Sequence, residues 1–323
     1  MTASLTSLPW IEKYRPLTFD DVIDHDDKIA TLRNLIAQNQ LTHLLFYGPP
    51  GTGKTSLILA LAREMYGDTF RKHILEINAS SDRGIDTIRV SVVQFITSRT
   101  EKVKLVLLDE ADALTPEAQG ALKSIMEKYA TYCRFCLICN DVNKISPALQ
   151  SRCVKMVFSS LTAKSTRAKL ADIIIKEKIN IDDTGLDALI ELERDFRQLL
   201  NVLQGMHYFY SCFPDKITAS AVYRYMGKPS TDTVTRLITA LFENTFSDAQ
   251  QVLVDMYKSN LITPTDMIGA VMKKILTVKL DIAKKHHILE MLSKIDHNIH
   301  NGCNTELQIA YLVSGFLYIR SDL

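Results

Sequence analysis

Neither sign of charge dominates this chain: 38 Lys and Arg stand against 37 Asp and Glu, a net charge of +1. That balance excludes a whole-molecule field strong enough to hold a polyanion. Any contact with nucleic acid must then run through a local stripe or a larger assembly. Long apolar runs are missing too, and without a run of about 18 such residues no membrane-spanning helix is expected. Met1–Trp10 carries neither the basic nor the apolar region of a secretory signal. With 12 Gly and 9 Pro in 323 residues, collagen-like and low-complexity architectures are excluded. What is present is ordinary globular material: 46% apolar and 23% charged residues. That suffices to bury cores in about two domains, with room for a small third.

Six cysteines occur, at 133, 136, 139, 153, 212 and 303. A long chain without a secretory signal is expected to keep them as reduced thiols in the cytosol or nucleus. Cys133, Cys136 and Cys139 have the C-x2-C-x2-C spacing of a cluster site. Yet Arg134–Cys139 reads as a buried strand, which sends residues three apart to opposite faces, and no fourth ligand follows. They read as small apolar side chains. His286, His287, His297 and His300 read as solvated or packed helix residues, because no acid or Cys completes a ligand set.

Residues 1–160 alternate short apolar runs with helical patterns. The runs are Leu44–Tyr47, Ile74–Ile77, Leu105–Leu108, Phe135–Cys139 and Val154–Phe158, each expected as a strand buried on both faces. The clearest helix spans 116–130, with Thr115 as N-cap and Pro116 as first residue. Its Ala118, Ala121, Leu122, Ile125, Met126 and Tyr129 share one face. This alternation predicts a parallel sheet wrapped by helices. After residue 160 strand signals vanish. Residues 161–227 predict about four helices, ending in the turn-rich Gly227-Lys228-Pro229-Ser230. Residues 228–323 predict a separate helical bundle. The fold class is therefore α/β, a nucleotide-type domain followed by two all-helical ones.

The sharpest motif is Gly48-Pro49-Pro50-Gly51-Thr52-Gly53-Lys54-Thr55, which fits G-x-x-x-x-G-K-[ST]. A strand feeds it, and a helix from Ser56 to Tyr66 leaves it. Glycines let backbone N–H groups curl around a polyphosphate while the helix turns its positive end toward the anion. Lys54 supplies a mobile charge for the outer phosphates, and Thr55 offers a hydroxyl to Mg2+. Ser56 joins this cradle. The run Leu105–Leu108 ends in Asp109-Glu110-Ala111-Asp112, where α/β sheets hold their ligands. Asp109 is expected to hold Mg2+ through water, and Glu110 to orient or deprotonate the attacking water. Asp112 reads as a solvated acid at a helix start. Asn140 ends the neighbouring strand, within reach of the γ-phosphate or that water.

The order of Trp10-Ile11-Glu12-Lys13-Tyr14-Arg15-Pro16, the glycine loop, Asn78-Ala79-Ser80 with Asp82-Arg83-Gly84-Ile85-Asp86, the Asp109–Asp112 run and Pro147-Ala148-Leu149-Gln150-Ser151-Arg152-Cys153 resembles that of the replication factor C small subunits. Those are AAA+ ATPases of the eukaryotic and archaeal sliding-clamp loader. The matching motifs span residues 10–204, and Arg63–Gly67 resembles the type numbered three in yeast. The resemblance implies an AAA+ sheet with helices on both faces, a helical lid and a C-terminal helical collar. It implies ATP and Mg2+ as ligands, a hetero-pentamer of replication factor C subunits, proliferating cell nuclear antigen as the clamp, primer–template DNA, no membrane, and the nucleus. Ile11 and Arg15 would pack against adenine and ribose. Arg152 would be an arginine finger acting on the neighbouring subunit's ATP, and Arg197 the lid arginine that senses the γ-phosphate. Arg83, Arg89 and Lys144 would contact DNA phosphates without reading bases. The chain departs from the family at Arg194, where Gly is usual. Two other readings stay open here: a different AAA+ DNA-remodelling motor, and a scaffold subunit that supplies a finger without hydrolysis.

Overall fold

The computed structural model describes residues 8–81, 85–98, 100, 102–210, 216–259 and 263–321. Five parallel strands, β1 (Leu44–Tyr47), β2 (Ile74–Asn78), β3 (Lys104–Asp109), β4 (Cys133–Cys139) and β5 (Val154–Val157), form one sheet in the order β2-β3-β4-β1-β5. Around and between them run α1 (Trp10–Lys13), α2 (Asp26–Ala37), α3 (Lys54–Tyr66), α4 (Phe70–His73), α5 (Ile85–Thr97), α6 (Pro116–Lys128) and α7 (Pro147–Gln150). There follow α8 (Ala163–Glu177), α9 (Asp183–Leu192), α10 (Phe196–Tyr210), α11 (Ala219–Met226), α12 (Thr231–Glu243), α13 (Phe246–Ser259), α14 (Pro264–Thr277), α15 (Ile282–His300) and α16 (Thr305–Ser321). Contacts gather them into two units: 1–179 with 190–205, and 180–189 with 206–323. The elements of the 161–227 segment are thus shared between the two.

In the first unit the strand pleat divides the sheet's apolar residues between two cores. Leu44, Phe46, Leu105, Leu107, Cys136 and Ile138 pack with α2 and α3. Leu45, Val106, Leu108, Cys133, Leu137 and Cys139 face α5 and α6 instead. The cysteines therefore serve as core side chains, Cys136 on one face and Cys133 and Cys139 on the other. Burial holds the Cys133 and Cys139 thiols up at about 12, far from thiolate chemistry.

The expectation that all five strands are buried on both faces fails for β5. Val154 and Val157 are 42% and 56% exposed, and only Met156 of the strand is buried. The reason is topological: β5 pairs with β1 alone and forms an edge of the sheet. The helix after the glycine loop also begins earlier than expected, at Lys54, because Gly53 at φ 89° forms its N-cap. Helix α6 starts as expected: Thr115 Oγ1 accepts a hydrogen bond from Ala118 N at 3.2 Å, and Pro116 is the first residue. It ends at Lys128.

Among its described residues the second unit holds helices and one bridge, Ile181 to Ile217. Leu253, Val271, Ile288, Leu292 and Phe316 form the centre of its core. Side-chain caps set several of its helix starts, among them Ser230 for α12, Thr245 for α13, Thr263 for α14 and Asp281 for α15. Helix α16 is apolar on nearly every side. Its inner face packs so closely on α15 that a Cβ on Gly315 would fall 1.9 Å from Met291 Sδ. Its outer face exposes Leu307, Tyr311 and Tyr318. No helix among the described residues is long and apolar enough to cross a membrane.

One buried cation anchors a helix to the sheet. Lys104 opens β3 and is 2% exposed. Its ammonium donates to the carbonyls of Phe95, Ile96 and Ser98 and to Ser98 Oγ, closing the C-terminus of α5. Helix ends leave carbonyls without partners, and a cation there is favourable. Lys104→Met keeps the stem and removes the donors. We expect it to lower the stability of this unit by about 2–3 kcal/mol, measured by urea denaturation.

Candidate functional site

The parallel register brings the chemistry to one edge. Tyr47 pairs with Cys139, and Leu108 with Leu137, so the glycine loop, Asp109 and Asn140 all leave the sheet at neighbouring strand ends. After β1 the chain turns through Gly48, Gly51 and Gly53 at φ 145°, 70° and 89°. At two of these glycines a Cβ would force a neighbour to move, the Phe158 backbone at Gly48 and the Asp195 carboxylate at Gly51. A Cβ on Gly48 would fall 2.0 Å from the Phe158 carbonyl oxygen, and one on Gly51 would fall 1.8 Å from Asp195 Oδ1. The loop then opens into the first turn of α3, whose free N–H groups suit an anion.

Lys54 is buried, and its ammonium donates to Gly48 O (2.6 Å), Pro49 O (2.7 Å) and Asn140 Oδ1 (3.1 Å). Burial holds its pKa below the usual lysine range, and the nearby Asp109 works against that shift. Thr55 Oγ1 donates to Asp109 Oδ2 at 2.8 Å, bringing together the hydroxyl and carboxylate expected at a metal. Glu110 follows in a left-handed conformation, φ 54°, and its side chain is exposed. Its N–H donates to Asp109 Oδ1 at 2.9 Å.

Asp112 is not simply a solvated acid. It is half-buried, and its Oδ2 accepts the backbone N–H groups of Asn140 and Asp141, each at 3.3 Å. It therefore ties the turn after β3 to the end of β4 and fixes Asn140 beside Lys54. This link joins residues far apart in sequence, and no local pattern announces it.

A cavity of about 410 Å³ lies over this edge. Pro50 to Ser56, Asp109, Glu110 and Asn140 line its floor, with Ile11, Arg15 and Pro16 at one wall and Phe196, Arg197 and Leu200 at another. Gly48 and Pro49 do not line it, but their carbonyls hold Lys54. The N-terminal wall is held in place from α8 and α10. Lys13 and Tyr14 both reach Glu177, and Trp10 N donates to Gln204 Oε1 at 3.1 Å. Sequence reasoning passed over His25. It is buried with φ 66°, its Nε2 donates to Thr52 O at 3.1 Å, and its ring meets Phe158 edge-on. Burial holds its pKa down, so the neutral ring braces the loop. A lone His before a helix carries no motif that would have flagged it.

Arg152 does not line this cavity. It follows α7, where it donates to Ala148 O at 2.6 Å and pairs with Glu127. Arg89 on α5 and Lys144 are both exposed, and Arg83 lies outside the described residues. Arg194, where the family usually has Gly, is exposed, and its N–H donates to Glu193 Oε1 at 2.9 Å. Among the described residues no cluster of three or more His, Cys, Asp or Glu offers a separate metal site.

A glycine loop after the strand next to the sheet edge, with acids ending β3, defines a P-loop ATPase of the AAA+ class. Residues 44–161 match the ATPase family associated with various cellular activities (AAA). Residues 229–315 match the replication factor C C-terminal domain. The chain is 41% identical over 322 residues to a protein of Dictyostelium discoideum named probable replication factor C subunit 5, covering 98% of this chain and 92% of that one. It is 37% identical over 311 residues to replication factor C subunit 3 of Saccharomyces cerevisiae, covering 94% and 92%. The Thermotoga maritima RuvB Holliday junction branch migration motor shares the fold, with a TM-score of 0.56 at 17% identity over 76% of this chain and 88% of that one. The chain belongs to the replication factor C small subunits, and is an ATPase subunit of the multi-subunit clamp loader.

The Asp112 tie yields a prediction. Asp112→Ala should slow nucleotide hydrolysis by about tenfold through a misplaced Asn140, and leave nucleotide affinity within about twofold. Single-turnover hydrolysis and equilibrium nucleotide titration check the two halves separately.

Proposed function

We propose that this subunit binds ATP with Mg2+ at a seam between protomers and hydrolyses it to drive loading of a sliding clamp, proliferating cell nuclear antigen, onto primer–template DNA in the nucleus. One observation carries the reading. Lys54, Thr55, Asp109 and Asn140 converge on a single cavity, and Arg152 stays out of it. Two arginines line the site, Arg15 toward the ribose and Arg197 from the lid, and the finger guanidinium that neutralises charge on the transferring phosphate is still to be supplied. The corresponding arginine of an adjacent subunit supplies it, while Arg152 serves the next site. Arg194 does not line the cavity, whereas Arg197 does and is the lid residue for the γ-phosphate.

The residues suit the cation as well. A hydroxyl beside a carboxylate offers two hard oxygen donors, leaving room for water and phosphate oxygens. A bound Mg2+ would neutralise charge on the outer phosphates. Lys54 turns from loop carbonyls to phosphate oxygens, exchanging neutral acceptors for charged ones. Glu110, held clear of the strand by its left-handed backbone, accepts the proton of the attacking water, and Asn140 orients that water. Ile11 and Arg15 close over the base and ribose. Since each nucleotide is gripped by two chains, binding draws neighbours together and hydrolysis releases them. The energy changes affinities for clamp and DNA, and no bond in DNA is altered.

Residues 1–160 form the ATPase domain in this reading, 161–227 the lid and 228–323 the collar, whose outward Leu307, Tyr311 and Tyr318 suit packing among subunits. Arg83, Arg89 and Lys144 hold the DNA backbone by charge alone.

Measurements on the assembled complex test this. Glu110→Gln should keep ATP affinity and cut single-turnover hydrolysis at this site by about a hundredfold or more. Lys54→Ala should abolish ATP binding here. Arg152→Ala should leave binding here intact and slow the adjacent site about a thousandfold. If Arg152→Ala slows only this subunit's own turnover, the seam reading is wrong. Replacing Arg89 and Lys144 by Ala should weaken DNA binding equally for all sequences and reduce the salt slope by about one per residue. An unchanged slope removes them from the DNA face.

A further inference from the structure

The contact that holds Arg152 points to a second residue in its work. Arg152 Nη1 donates to Ala148 O at 2.6 Å, and Nη2 forms an ion pair with Glu127 Oε1. The two side chains are 33% and 47% exposed. A partly exposed arginine normally samples many rotamers, and a planar fork caught at both ends does not. Each Nη carries two hydrogens. Nη1 also reaches Ser151 Oγ at 3.5 Å, so the second Nη2 hydrogen and Nε–H are the donors left for a phosphate.

The anchor itself is rigid. Glu127 is the penultimate residue of α6. At the other end of that helix, buried Gln119 donates to Lys144 O (3.0 Å) and accepts from Ser146 N (2.7 Å), which bolts the segment before α7 to α6. A carboxylate near a helix C-terminus is electrostatically disfavoured by the carbonyls there. Glu127 is therefore a costly choice for that helix alone, and the guanidinium is what offsets it.

We propose that Glu127 is a positioning residue for Arg152: its carboxylate holds the guanidinium in the attitude from which it reaches the nucleotide of the neighbouring subunit. This rests on the reading that Arg152 acts across the seam. Holding the donor in place before the neighbour arrives removes a search from the reactive step.

The test uses the assembled complex with Glu110→Gln in this subunit, so that its own hydrolysis is silent and its nucleotide retained. Against that background Glu127→Ala should lower single-turnover hydrolysis at the neighbouring site about tenfold at saturating ATP, with that site's KM changed by less than about twofold. Glu127→Gln keeps an acceptor for Nη2 and should recover part of the loss. Combining Glu127→Ala with Arg152→Ala should be no worse than Arg152→Ala alone. An exposed Glu→Ala change is small for folding, and a thermal melt of each variant checks this. Unchanged or faster neighbouring turnover in Glu127→Ala overturns the proposal, as does a loss that adds to that of Arg152→Ala. If Arg152→Ala alone leaves the neighbour unaffected, the seam reading falls and this inference with it. If Arg152→Ala slows the neighbour and Glu127→Ala does not, only the inference falls.

Discussion

A buried ammonium group governs the nucleotide site. Lys54 lies almost out of solvent at the start of α3, and its charge has to be met by oxygen. Two loop carbonyls and the Asn140 amide meet it, so the conformation of the loop, the end of β4 and the helix start are mutually dependent. The same need makes the lysine ready for phosphate, because a charged oxygen is a better partner than the carbonyls it leaves. His25 on Thr52 and Asp112 on the Asn140 backbone brace the two ends of this arrangement.

Strand register turns that local need into a site. In a parallel sheet the strands all finish at one edge, and here β1, β3 and β4 deliver the loop, the acids and Asn140 side by side. The sheet is anchored from outside its cores as well. Lys104 fixes α5 to the base of β3, while the Lys13 and Tyr14 contacts with Glu177 secure the N-terminal segment against α8.

Much of this was legible in the sequence, and the reason is periodicity. The five apolar runs, the Thr115-Pro116 helix start and the four-helix pattern of 161–227 are local signals that tertiary structure leaves standing. The glycine loop and Asp109 were legible because phosphate chemistry demands adjacent residues of fixed type. Three things were not. The exposure of β5 depends on strand order, which no single run encodes. The roles of Asp112 and His25 arise from partners 28 and 27 residues away. The Arg152–Glu127 pair joins α6 to the turn after α7, and neither sequence marks the other as its partner.

The close approach of Asp195 to Gly51 ties the glycine loop to the start of α10. Asp195 Oδ1 accepts the N–H of Arg197, and its carbonyl accepts that of Leu199, so it caps the N-terminus of α10. Asp195 does not itself line the cavity, whereas Gly51 and Arg197 do. A side chain at position 51 would therefore displace the root of the helix that carries Arg197 along with the loop itself.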